Sequence, residues 1–196
     1  MPEPLALVVG LGNPGAEYAR TRHNAGADFV HALANLHRCT LRHEARFHGL
    51  TARLTLAGID LRLLVPQTYM NRSGQAVAAM AGFFRVPPTS ILVAFDELDL
   101  PAGQARFKAG GGHGGHNGIR DILAALGNDA GFYRLRIGIG HPGDRDRVSA
   151  HVLSRPSADD RRRIDACIEE ALFALPDAIA GNWPIAMNRL NSFESE

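Results

Sequence analysis

The sequence predicts an α/β fold, a single-domain mixed β-sheet sandwiched between α-helices. Three observations predict it. Short apolar runs rich in Val, Ile and Leu alternate along the chain with segments whose apolar residues recur at helical spacing, the pattern of strands covered by helices. Two of the strand-like runs, residues 47–56 and 59–65, meet at Ala57-Gly58, a tight hairpin that puts an antiparallel pair into the sheet. The length, 196 residues with 45% hydrophobic and 21% charged, is enough for one core. No repeat, low-complexity linker or boundary divides it, so residues 1–196 are expected to form one domain.

The elements follow in order. Residues 5–9 are an apolar, β-prone run that ends at Gly10, a buried strand. After a long glycine-containing loop, Phe29, Val30, Leu33 and Leu36 mark an amphipathic helix over about 24–37. The hairpin comes next. Val77, Met80, Ala81 and Phe84 predict a second helix, entered after Asn71-Arg72-Ser73-Gly74 and ended before Pro87-Pro88. Residues 91–95 form an apolar strand that runs directly into Asp96-Glu97-Leu98-Asp99, placing acids at its carboxyl end, the edge where open α/β sheets keep their sites. Residues 104–108 predict another strand, residues 110–118 a glycine-dense loop, about 119–126 a helix and 134–140 a strand. Ile164, Ile168, Ala171, Leu172, Leu175 and Ile179 predict the last helix.

Composition removes several function classes. The longest early apolar run, residues 5–11, is too short for a membrane span or a signal-peptide core, so a cytoplasmic protein without membrane contact is expected. Cys39 and Cys167 have no CxxC spacing, which argues for thiols that pack rather than bridge or ligate. A net charge of +1 and a pI near 8.0 are not the footprint of a chain that coats itself with nucleic acid, so any RNA contact must be local. The cations other than Lys108 are all arginine, with a cluster at Arg161, Arg162 and Arg163, and arginine suits bidentate phosphate binding.

Gly10-Leu11-Gly12-Asn13-Pro14-Gly15 satisfies GxGxxG after a strand, which on pattern alone suggests a dinucleotide site. Pro14 interrupts the turn, and about nine residues separate Gly15 from the helix, whereas that fingerprint needs the helix to begin within the glycines. The turn is better read as presenting Asn13, an amide with donors and an acceptor, at the sheet's carboxyl edge.

His23 lies just before the first helix and after the strand that delivers Asn13, so the chain forces the two together. Asp96, ending another strand, is its natural partner to fix the imidazole tautomer and stabilise its cation. No GxSxG elbow or activated cysteine supplies a nucleophile. Water activated by a general base is the simplest hydrolytic route left. Asn71 and Asn117 stand in turns beside helices, where an amide can donate to a developing oxyanion or simply cap the helix. His113 and His116 flank two glycines, a poor frame for a metal, and no metal site or cofactor is expected.

These segments together resemble the bacterial peptidyl-tRNA hydrolase family. The matching stretches are Gly10-Leu11-Gly12-Asn13-Pro14-Gly15, Tyr18 with Thr21-Arg22-His23-Asn24-Ala25-Gly26, Pro66-Gln67-Thr68-Tyr69-Met70-Asn71-Arg72-Ser73-Gly74, Asp96-Glu97-Leu98-Asp99-Leu100-Pro101, Lys108 with the glycine run 110–118, and Arg134-Leu135-Arg136-Ile137-Gly138-Ile139-Gly140. The resemblance implies hydrolysis of the ester between a peptide, or an N-blocked amino acid, and tRNA. It implies that His23 deprotonates water and Asp96 holds His23. It further implies that Asn13, Asn71 and Asn117 bind the peptide and terminal nucleotide, that Tyr18, Tyr69, Met70 and His116 shape the groove, and that Lys108 and Arg136 clamp the tRNA 5′ phosphate. A monomer with no obligate protein partner is expected. A non-catalytic RNA-binding module and a nucleotide-dependent oxidoreductase are the competing classes.

Overall fold

The computed structural model describes residues 2–196. Its sheet contains β1 (Leu7–Gly10), β2 (Arg42–Glu44), β3 (Gly49–Leu56), β4 (Ile59–Pro66), β5 (Ile91–Glu97), β6 (Ala105–Ala109) and β7 (Tyr133–Gly138). The spatial order is β2-β3-β4-β1-β5-β7-β6. β1 runs parallel to both β4 and β5, and β5 parallel to β7, while β2, β3 and β6 pair antiparallel with their neighbours. β1 throughout and β5 from Ile91 to Phe95 are apolar because helices cover both faces of the sheet there.

Alternation along each strand divides the core. Val8, Leu92 and Ala94 point into one cluster with α1 (Ala25–Leu36), α5 (Ala158–Ile179) and α6 (Trp183–Asn191). Leu7, Val9, Val93 and Phe95 point into the other with α2 (Ser73–Phe84) and α3 (Asn117–Ala125). A fully buried Leu or Phe contributes about 1.5–3 kcal/mol, so the two-faced burial of β1 and β5 makes the middle of the sheet the firmest part of the molecule. Asp96 continues the alternation Leu92, Ala94 onto the α1 face, at the carboxyl end of β5.

Two close approaches set α1. A Cβ on Gly10 would lie 2.3 Å from the Gly26 carbonyl oxygen, and a Cβ on Gly26 would lie 2.1 Å from the Ala94 oxygen. Bare backbone at both positions lets the first turn of α1 settle onto β1 and β5. Gly10 and Gly12 therefore serve strand–helix packing, and the Ala27 N–H in the first turn of α1 donates to the Leu11 carbonyl instead of standing open to a phosphate, which argues against the dinucleotide reading.

Several boundaries differ from expectation. Residues 45–47 form a 3₁₀ turn and His48 is left-handed (φ 52°), so the strand predicted from residue 47 begins at Gly49. The helix predicted from residue 164 starts at Ala158, capped by the Ser157 hydroxyl, which accepts from the Asp160 N–H. It is not the last helix: α6 follows, with Pro184 in its first turn. β2 and the short α4 (Val148–Val152) were also not foreseen. The Asn191 side chain pairs with the Phe107 N–H and C=O, closing the outer edge of β6 as a strand would. No described helix is long and apolar enough to cross a membrane.

Candidate active site

Three parallel strands end side by side, and their carboxyl ends deliver the polar residues. β1 leads to Asn13 and, through a turn at Thr21, to His23. β4 leads to Tyr69, Met70 and Asn71. β5 ends with Asp96. Together with the N-terminus of α3 and the exposed side of α4 they enclose a groove of about 730 Å³, lined by Asn13, His23, Tyr69, Met70, Asn71, Asp96, Gly114, Gly115, His116, Asn117, Val148 and Leu153 among others.

Asp96, 3% exposed, lies between two imidazoles. His23 Nδ1 is 2.8 Å from Oδ2 and His116 Nε2 is 2.7 Å from Oδ1. The tautomers follow from the surrounding bonds. His116 caps α3, its Nδ1 accepting from the Gly118 and Ile119 N–H groups. The proton of neutral His116 is therefore on Nε2 and is donated to Asp96. His23 likewise donates Nδ1–H to the carboxylate, which leaves its Nε2 with a free lone pair at the groove. Burial alone would raise the Asp96 pKa, but the His23 and His116 interactions outweigh it and hold the group well below the ordinary carboxylate range. Burial would lower the His23 pKa, and the charge and hydrogen bond of Asp96 outweigh that too, so it sits above the ordinary imidazole value.

Asn13 is held from both sides. Its backbone N–H donates to Asn24 Oδ1 at 2.8 Å, and Asn24 Nδ2 donates to its carbonyl at 2.9 Å. Its Oδ1 accepts from the Met70 N–H at 2.7 Å. This fixes the amide so that Nδ2 remains a donor for another group. Met70 is buried, and a Cβ on Gly118 would lie 2.6 Å from its sulfur, so Gly118 lets α3 close on this wall. Gly74 plays a matching part, its N–H donating to Asp121 and its Cα lying close under the Asp121 carbonyl, which locks α2 to α3. Asn117 Oδ1 accepts from Arg120, and Asn71 is exposed at the rim.

Other expected residues lie elsewhere. Tyr18 does not line the groove; its carbonyl accepts from the Thr21 hydroxyl and shapes the turn before His23. Lys108 on β6 and Arg136 on β7 stand to the β7–β6 side of Asp96. Arg136 binds Glu97 at 2.7 Å, while Lys108 is exposed and forms no ion pair among the described residues. Arg134, in register with Lys108, is buried and donates to the Gly111 and Gly112 carbonyls, which anchors the glycine loop. The arginine cluster on α5 is paired, Arg161 with Asp28 and Asp165, Arg162 and Arg163 with Asp159. Burial pushes the Cys167 thiol up to about 12, which makes it inert.

His23, Asp96 and His116 offer ligand atoms that all lie within 4.8 Å of one another, close enough to share a cation. Their N···O separations are those of direct hydrogen bonds, with a proton on each nitrogen that faces the carboxylate. His113 and His141 instead accept from the Gly115 and Gly143 N–H groups and do not join the cluster.

Sequence reasoning missed the bond from His116 to Asp96, the clamp on Asn13 by Asn24, and the α4 wall. Asn24 had a visible signal, since it directly follows His23 in the same short turn. His116 had none, because nothing in a glycine-rich loop states which strand end it meets.

The fold and site place the chain among single-sheet α/β proteins that carry a buried carboxylate between two imidazoles at the carboxyl edge of the sheet. A family model described as "Peptidyl-tRNA hydrolase" matches residues 7–196, and the chain belongs to that family. A peptidyl-tRNA hydrolase of Pseudomonas savastanoi pv. phaseolicola is 61% identical over 188 residues, covering 96% of this chain and 97% of that relative. One from Alcanivorax borkumensis is 58% identical over 195 residues, covering 100% of both. The crystal structure of peptidyl-tRNA hydrolase from Acinetobacter baumannii is similar with a TM-score of 0.94 at 49% identity, covering 97% of this chain and 96% of that one.

Proposed function

We propose that this chain hydrolyses the ester bond that joins a peptide, or an N-blocked amino acid, to the 3′-terminal ribose of tRNA, releasing tRNA for reuse after premature loss from the ribosome. The observation that carries the chemistry is the 2.8 Å bond from His23 Nδ1 to Asp96, which leaves Nε2 basic and facing the groove. Water bound to Nε2 loses its proton to His23 as its oxygen attacks the ester carbonyl. The imidazolium so formed is stabilised by the buried Asp96 carboxylate and returns the proton to the leaving ribose oxygen. General-base help of this kind is worth about 10²–10⁴-fold.

The oxyanion needs donors, and the amides of Asn13, Asn71 and Asn117 supply them around the groove. An amide-lined site pairs with a peptide N–H or C=O but leaves a free ammonium desolvated without an anion, which favours N-blocked substrates. Tyr69 and Met70 give apolar surface beside the terminal nucleotide. Lys108 and Arg136 take the 5′ phosphate; such contacts position a substrate without reading its sequence. We assign Tyr18 only the support of the His23 turn. The hydrogen-bonded His23–Asp96–His116 set works without metal or cofactor, in a monomeric, single-domain protein of the cytoplasm.

The test compares an N-acetyl-aminoacyl-tRNA with the same tRNA bearing a free amino acid, with and without a chelator. Cleavage of the blocked substrate alone, unchanged by the chelator, is the expected result. Equal cleavage of both would overturn the specificity, and loss with the chelator would overturn the metal-free assignment.

A further inference from the structure

Arg22 directly precedes His23 in the chain but does not line the groove. Its side chain runs instead to the C-terminal end of α4. Nη1 donates to the Ser154 hydroxyl at 2.6 Å and to the carbonyls of Arg155, His151 and Ser154 at 3.3, 3.4 and 3.5 Å. Nη2 stands 3.9 Å from the Asp160 carboxylate in the first turn of α5. The Arg22 backbone N–H adds a bond to the Ser154 carbonyl at 3.0 Å, and Arg155 Nε returns one to the Ala19 carbonyl at 3.2 Å. The Arg22 side chain is 12% exposed, and its Nε is buried without a partner among the described residues, a penalty that the bonds of Nη1 offset. Both segments joined here need outside support. α4 has five residues, too few to stay helical alone. Arg20, in the turn before His23, has a φ of 64°, a left-handed conformation uncommon outside glycine.

We propose that Arg22 is a positioning residue for the hydrolysis: by holding the end of α4 to the turn that carries His23, it fixes together the α4 wall of the groove and the aim of His23 at Asp96. The assignment rests on the ester-hydrolysis reading above. His23 enters the site from the short 3₁₀ turn Arg22–Asn24, and its ring faces Asp96 and the ring of His116, 5.1 Å away between centroids. Asn24 fastens that turn to Asn13 on one side, and Arg22 fastens it to α4 on the other. A turn loose on the α4 side lets Nδ1 move off the carboxylate, and a 2.8 Å bond weakens steeply with misalignment. Val148, Val152 and Leu153 line the groove from α4 and its C-terminal end, so they shift with the same anchor. A substrate resting on that wall and the base that activates water beside it thereby keep one spacing, which is what a reaction between two bound groups requires.

The experiment measures kcat and its pH profile on N-acetyl-aminoacyl-tRNA for the wild type, Arg22→Met, Arg22→Lys, Ser154→Ala and the double variant Arg22→Met with Ser154→Ala. Methionine keeps an unbranched stem and removes the donors. Arg22→Met is expected to lower kcat about 10-fold, the scale of a small misplacement of reacting groups. Its rising limb is expected to move to lower pH, because Asp96 is what holds the His23 pKa up. Four contacts converge on the single nitrogen Nη1, so the ammonium of Arg22→Lys is expected to recover part of both. Ser154→Ala is expected to lower kcat about 3-fold, and the double variant to be no slower than Arg22→Met, since the two residues share one bond. Wild-type kcat in Arg22→Met would overturn the assignment. So would a lower kcat with the limb unmoved, which is the signature of a residue that only stabilises the fold. Where Arg22→Met does not fold, Ser154→Ala decides by the same two readouts, because Ser154 is exposed. Failure of the wild type to cleave would instead overturn the reaction itself, and the role of Arg22 with it.

Discussion

His116 donates to Asp96 from the side opposite His23, at 2.7 Å, while its other nitrogen caps α3. One imidazole thus ties the helix that carries Asn117 to the carboxylate that orients the general base. Replacing it with alanine removes both at once. His116→Ala removes a charge-assisted bond worth about 1.5–3 kcal/mol and leaves one Asp96 oxygen buried without that donor. Where the bond is fully in force in the transition state, kcat falls roughly 10- to 100-fold. His116→Gln, which keeps a donor, is expected to recover part of it. An alanine variant with wild-type kcat would show that His116 only caps the helix.

Asn24 is predicted to matter through Asn13. Its side chain holds both backbone groups of Asn13 at 2.8 and 2.9 Å, so Asn24→Ala frees the turn that aims the Asn13 amide. The expected result is a kcat/KM lower by about 10-fold, with a weaker preference for N-acetylated over free aminoacyl-tRNA. Steady-state kinetics on the two substrates measure both. Unchanged preference would detach Asn13 from substrate choice.

The pH dependence has a definite sign. A general base must be neutral, so kcat/KM rises with pH through the His23 pKa, which Asp96 holds above the ordinary value of about 6.5. In Asp96→Asn the charge is gone and burial dominates, so the limb is expected to move to lower pH as the rate drops. A limb that stays in place would identify a different titrating group. Stability responds oppositely at the two residues. The raised His23 pKa contributes stability that is fully present below about 6.5 and is lost as pH rises through the folded value. The depressed Asp96 pKa contributes stability present above about 3.9 and lost as pH falls below it. Wild-type unfolding free energy is therefore expected to fall in acid more steeply than that of Asp96→Asn.

Lys108 is exposed and unpaired among the described residues, which leaves its charge available to a phosphate. Lys108→Ala is expected to raise KM for several tRNAs alike, to leave kcat near wild type, and to reduce the salt dependence of binding by about one counterion. A change confined to one tRNA, with the salt slope intact, would contradict a phosphate contact.

Much of this arrangement was legible in the sequence because the central strands and long helices carry unmixed periodicity. β1, β5 and α1 are apolar where they must be, and chain continuity alone puts His23 beside Asn13. The Asp96–His23 encounter was legible for a related reason, since Asp96 lies at the carboxyl end of β5 and His23 in the loop that follows β1. The short pieces were not. β2 is Arg42, His43 and Glu44, polar throughout, and depends on pairing with β3 for its conformation. α4 has too few residues for a helical period, so the wall formed by Val148 and Leu153 had no signal. α6 follows Gly181 and Asn182 and carries Pro184, which mask a helix that tertiary packing of Trp183 and Leu190 stabilises. The His116–Asp96 bond depends on where a glycine-rich loop returns, and it returns there because Arg134, buried in β7, holds the carbonyls of Gly111 and Gly112.

The central claim is that His23 is the base and not merely part of an RNA-binding surface. It is tested most directly by single-turnover cleavage of N-acetyl-aminoacyl-tRNA by His23→Ala, run beside a measurement of tRNA affinity. The account predicts that cleavage slows by about 10²–10⁴-fold while affinity stays within a few-fold of wild type. Cleavage at the wild-type rate would contradict it.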